Sequence, residues 1–108
     1  MPTQHGDLSY AVVVMNDGDN VGTALRDLLS GETVQFMPQP KNSVLVLDNI
    51  PFGHKIAIRD MSSGDPIVKY GEVIGRATVA IPSGHHVHVH NVEGMRGRGD
   101  VQQGGSSP

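Results

Sequence analysis

Apolar residues in this 108-residue chain fall in short runs or strict alternations, separated by Gly, Pro, Asn and Asp. Ser9 to Met15 (SYAVVVM) is β-branched and almost continuously apolar, which predicts a strand covered on both faces. Asn16 to Asn20 is a cluster of turn and capping residues. From Val21 the period lengthens: Val21, Ala24, Leu25 and Leu28 or Leu29 recur three and four apart, Asp19 or Asn20 can cap the start, and Gly31 can stop the run. That spacing predicts a short helix over Val21 to Leu29. The Asp17-Gly18-Asp19-Asn20 turn lacks the later acidic ligands that a calcium loop needs.

Further on, Glu32 to Met37 alternates like a strand, two prolines make residues 38–42 a connection, and Ser43 to Leu47 reads as the next strand. Lys55 to Arg59 alternates strictly, placing Ile56 and Ile58 inward. Ile67 to Tyr70 is a short strand, and Val73 to Ala80 is a strand in which Gly75 predicts a bulge or a close backbone approach. Ile50-Pro51-Phe52-Gly53-His54 and Ile81-Pro82-Ser83-Gly84-His85 repeat one pattern, and Ser62 to Pro66 is similar in composition; internal symmetry and a chance recurrence of turn residues both account for that. Many short strands with one short helix predict a compact, barrel-like or clip-like, mostly β domain.

Composition narrows the function. The chain is 37% hydrophobic with two Phe, two Tyr and no Trp, so its core is aliphatic. It has no Cys, which excludes disulfides, thiolate metal sites and cysteine nucleophiles and is compatible with a reducing, cytoplasmic setting. A formal charge of −3 with scattered basic residues gives no footprint for nucleic acid, and neither a signal peptide nor an 18-residue apolar stretch is present, so no membrane partner is expected. Motifs for nucleotide-phosphate binding, for a serine hydrolase and for a zinc protease are missing. Residues 1–8 and 94–108 read as flexible ends around one domain at 9–93.

Five of the six histidines lie between Ile50 and Asn91. On a strand His86, His88 and His90 share one face, with neighbours about 7 Å apart and the outer pair about 13 Å apart at Cα. Imidazole nitrogens reach a metal at about 2.0 to 2.1 Å, so two neighbours can converge on one ion and the outer pair cannot. An H-x-H pair is half a site, and His54 is the nearest candidate by residue type for the missing ligand. Imidazole and oxygen donors suit Zn, Fe(II) or Mn(II). A polar strand face that merely hydrogen-bonds, and a pH-sensitive interface, remain open on this pattern.

The motifs Ile50-Pro51-x-Gly53-His54-Lys55-x-Ala57-x-Arg59-Asp60, Ile67-x-Lys69-Tyr70-Gly71, Ile74-Gly75-x-Ala77-Thr78 and Val87-His88-x-His90-Asn91 resemble the SAF domain of the altronate and galactarate dehydratase family. Asp19-Asn20-Val21-Gly22-x-Ala24-Leu25 looks like that family's early helix. The resemblance implies a β-clip fold and the role of small subunit in a two-component sugar-acid dehydratase, docked to a large catalytic subunit. It implies Fe(II) or Mn(II), with Zn a further choice, and elimination of water from a sugar acid. A sulfolactate sulfo-lyase small subunit is the nearest competitor, and a non-catalytic carboxylate or metal-binding module is another. Carried over by position, His54, His88 and His90 are metal-ligand candidates and Lys55, Lys69, Tyr70 and Asn91 are substrate-binding candidates. His85 and His86 fall outside the shared motifs. No catalytic base is assigned, and exposed strand edges make a homo-oligomer a reasonable expectation.

Overall fold

A computed structural model describes residues 10–37 and 42–94. The expected flexible ends and most of the proline-rich connection lie outside them. Among the described residues nine strands make two sheets: β1 (Tyr10–Val13), β2 (Val21–Ala24), β3 (Thr33–Met37), β4 (Ser43–Leu45), β5 (Lys55–Ala57), β6 (Pro66–Lys69), β7 (Glu72–Ala77), β8 (His86–Val87) and β9 (Val92–Gly94). Six run in the order β4-β3-β1-β2-β5-β8, antiparallel except for the β1–β3 pair, and β6-β7-β9 form the second sheet. This is a mostly β, clip-like domain, and its last strand extends the expected boundary to Gly94.

The expected helix over Val21 to Leu29 is absent; its first residues are β2. Three-and-four spacing arises there for another reason. Val21 and Ala24 are buried by a strand that pairs with both β1 and β5, and Leu28 is buried by a bridge to Ile50 after the chain turns. Leu25 and Leu29, which a helix would have buried, are exposed. Gly22 permits the pairing, because a Cβ there would overlap the Val12 side chain. Paired backbone on two edges outweighs a weak helical preference.

The Asp-Gly-Asp-Asn segment is therefore not a helix cap. Asp19, fully buried, accepts the Tyr70 and Gly71 amides (3.0 and 2.9 Å), and the Asn20 side chain accepts from Val68 N–H and donates to the Pro66 carbonyl. These bonds tie the first loop to the β6–β7 hairpin. Tyr70 and Gly71 both have positive φ (54° and 78°), a turn that matches the right-handed twist of a hairpin. Ile74 is the extra residue of a bulge in β7, and Gly75 lies so close to β9 that a Cβ would stand 2.7 Å from the Glu93 carbonyl.

Internal symmetry is plain in the hydrogen bonds. Leu28–Glu32, Ile50–His54, Met61–Asp65 and Ile81–His85 form four copies of one turn. In each, a buried aliphatic residue makes a bridge, the fifth residue's N–H donates to the second residue's carbonyl, and the fourth is a Gly with positive φ. That Gly donates to Val46, Ala24, Ala77 or Ala57 respectively, whose amide returns a bond to the fifth residue. The first two turns face each other as the last two do, with Ser30 Oγ donating to the Leu47 carbonyl where Ser63 Oγ donates to Thr78. The sequence carries the same relation: Ala24-x-Arg26-Asp27-x-x-Ser30-Gly31-Glu32 recurs as Ala57-x-Arg59-Asp60-x-x-Ser63-Gly64-Asp65.

Candidate metal centre

The fourth turn and β8 carry histidines past the second turn, and three imidazoles meet. His54 Nδ1 and His86 Nε2 are 2.9 Å apart, and one ligand atom from each of His54, His86 and His88 lies within 4.8 Å of the others. Two nitrogens about 2.1 Å from one ion at a right angle stand about 3 Å apart, so the His54–His86 spacing already matches shared coordination. The three rings are stacked, with centroids 4.2 to 5.3 Å apart.

The β8 strand stops at Val87, so the row of alternating histidines expected through His90 is not formed. A turn over His88 to Asn91 replaces it, closed by the Asn91 amide donating to the His88 carbonyl (3.1 Å). Asn91 is buried and holds this turn through both ends of its side chain: Oδ1 accepts from His88 N–H and Nδ2 donates to the His86 carbonyl, each at 2.9 Å. Its amide thus orients the two histidines. Asn91→Ala leaves two backbone groups in need of partners, and we expect a loss of about 1–3 kcal/mol, read by chemical denaturation.

His90 stands beside His86 with its ring tilted (5.3 Å), outside the group of three. His85 turns away to Asp48, whose Oδ2 accepts from the His86 amide (2.9 Å) and lies 3.0 Å from His85 Nδ1. His86 is therefore fixed by its backbone at both sides, to Asp48 and Asn91, which leaves its ring available as a ligand. Sequence motifs gave His86 no weight; the only sequence signal for it was its place two residues before His88.

Electrostatics favour lone pairs on these rings. Desolvation first, then the neighbouring His54, His90 and His88, hold His86 below the ordinary imidazole range. His88 is lowered by desolvation against its neighbours and by His54, Lys55 and His90. Groups whose folded pKa is depressed in this way resist protonation in the native state, so the unfolded chain binds more protons just below pH 6.5. Stability of the metal-free chain should thus be complete above that pH and fall as pH drops through the window beneath it, measured by melting at pH 5 to 8.

Lys55, on β5, is pushed below the ordinary lysine range by partial burial and then by Lys69. Neither lysine has a carboxylate partner among the described residues, although the chain is net acidic. Lys69 lies over the Tyr70 ring (4.9 Å), and Tyr70 is half exposed. Lys55 is close enough to His88 to lower it and close enough to Lys69 to be lowered by it, so positive charge borders the imidazole group and suits an anionic ligand. A cleft of about 570 Å³ lies elsewhere, between Met15–Asp19 and Ile58–Arg59, and its lining includes no histidine. In the imidazole group His88 is exposed, and His54 and His86 are half-buried.

Comparison with known proteins decides the family. A model of the altronate/galactarate dehydratase SAF domain matches residues 10–95. The chain belongs to that family. Among relatives of this SAF domain, altronate dehydratase of Bacillus subtilis is 45% identical over 75 residues, 69% of this chain and 14% of that protein. The (2R)-sulfolactate sulfo-lyase subunit alpha of Chromohalobacter salexigens is 51% identical over 51 residues, 47% of this chain and 54% of that subunit. Galactarate dehydratase (L-threo-forming) of Escherichia coli is 34% identical over 80 residues, 74% of this chain and 12% of that enzyme. The SAF domain therefore matches about a seventh of the dehydratases and about half of the sulfo-lyase subunit.

Proposed function

We propose that this SAF domain is the small subunit of a two-component, cytoplasmic sugar-acid dehydratase of the altronate/galactarate type, holding a divalent ion on His54, His86 and His88 beside a larger catalytic chain. The observation that carries the reading is the convergence of three imidazoles, His54, His86 and His88, on one point, with Lys55, which has no carboxylate partner among the described residues, close enough to lower His88. Three nitrogen donors and no thiolate suit Fe(II), Mn(II) or Zn and leave coordination positions for substrate.

Altronate, galactarate and sulfolactate, named in the relatives, are all 2-hydroxy acids with a group at the next carbon that can leave. Lys55 and Lys69 bind the carboxylate, Tyr70 borders it, and Asn91 keeps the histidines in register. A divalent ion bound there supplies Lewis acidity that favours negative charge on the carboxylate and helps the hydroxyl depart. The partner chain contributes the base and the groups that read the rest of the sugar acid. Subunit alpha of a sulfo-lyase is the second reading, favoured by the 51% identity to such a subunit.

The test is an assay of this chain with the large chain from a neighbouring gene, on altronate, galactarate and sulfolactate, with Fe(II) or Mn(II). Turnover should need both chains and fall at least about 100-fold with His86→Ala. Full turnover by the large chain alone would remove the subunit role.

A further inference from the structure

The repeat supplies an internal control for the surface. The first pair of turns and the last pair share backbone and hydrogen bonds, yet their exposed positions differ in chemistry. Leu29, Leu45, Leu47 and Phe52 in the first half are 61, 50, 42 and 67% exposed, and their counterparts in the second half are Ser62, Arg76, Thr78 and Ser83. Fold geometry places no demand for apolar side chains at these positions, since the second half does without them. A dent of about 210 Å³, lined by Leu29, Leu28, Ile50 and Pro51, opens between the two turns of the first half.

Backbone hydrogen bonds and chain adjacency link these apolar residues to the imidazole group. The Leu47 amide donates to the Gly84 carbonyl (2.8 Å), the next residue after Leu47 is the Asp48 that holds His85 and His86, and Phe52 stands two residues before His54. The relatives supply the occupant: the matched domain is 14% of a longer chain in altronate dehydratase, and in the sulfo-lyase it lies in a protein named as one subunit, alpha. We infer that the face formed by Leu29, Leu45, Leu47 and Phe52 is the docking surface for an apolar patch of the large catalytic chain, which thereby covers the imidazoles. This rests on the subunit reading above. Buried apolar anchors surrounded by polar rim, here Asp27 and Asn49 beside the dent, are where binding energy concentrates.

The experiment copies the second half onto the first. The double variant Leu47→Thr with Phe52→Ser, made in the full chain, should weaken the complex with the co-purified large chain by about tenfold or more, measured by titration calorimetry. Its melting temperature and its Zn(II) affinity should match the unaltered chain, and Thr78→Ala with Ser83→Ala should leave the complex unchanged. An unaltered complex in the Leu47/Phe52 variant would overturn the docking surface and leave the subunit reading standing. A wild-type homodimer that this variant converts to monomer, with partner affinity unchanged, would assign the face to a second copy instead. Failure of the unaltered chain to bind the large chain at all would overturn both.

Discussion

Replacing His86 with Ala is expected to lower Zn(II) or Mn(II) affinity of the isolated chain at least about 100-fold, since loss of a partner one shell further out already costs 10- to 100-fold. The reason lies in how the residue is held. Its amide is bound to Asp48 and its carbonyl to Asn91, and alanine keeps both bonds, so the loop survives while the ring is removed. His54→Ala should match it, because His54 Nδ1 is the nitrogen 2.9 Å from His86. His90→Ala is the discriminating control: its ring neighbours His86 without joining the group of three, and affinity should change by no more than a few-fold, as for a neighbouring charge. Calorimetric titration of the four proteins decides it, and an equal loss in His90→Ala would move the site to the end of the turn.

Gly84→Ala should be the most destabilising single methyl in the domain. Gly84 has φ +97°, and a Cβ there would overlap the Leu45 carbonyl oxygen at the end of β4 and crowd the Leu47 side chain just beyond it. Gly64 occupies the same place in an equivalent turn with φ +93° and nothing within 4 Å. The two substitutions share the conformational term of about 1 kcal/mol, so their difference isolates the clash. We expect about 3 kcal/mol or more for Gly84→Ala and a drop in melting temperature on the order of 10–20 °C, against a few degrees for Gly64→Ala. Because Gly84 precedes His85 and β8, the variant should lose metal affinity as well.

Strands were legible wherever β-branched residues alternate or run between turn residues, as at Thr33 to Met37 and Lys55 to Ala57. The bulge and close approach at Gly75 were legible for the same reason, since a glycine inside a strand pattern has few other causes. Val21 to Leu29 misled because its apolar spacing mixes a strand with a turn, and only the later copy, Ala57 to Asp65, reveals the first as strand followed by turn. In the site, H-x-H geometry pointed to two neighbouring imidazoles plus a distant third. A regular strand makes His86, His88 and His90 equivalent, however, and the turn fixed by buried Asn91 distinguishes them. That turn depends on one side chain reaching two backbone groups, which no spacing rule displays. Asp19 is similar: its carboxylate organises a hairpin some fifty residues away, and its surroundings in sequence look only like a loop.

The most direct measurement is an anomalous difference map from crystals of the full chain grown with Zn(II). A single peak should stand about 2.0–2.1 Å from one nitrogen each of His54, His86 and His88. Crystals with no ion between those three rings, at a Zn(II) concentration that saturates binding in solution, would contradict a metal centre on this chain.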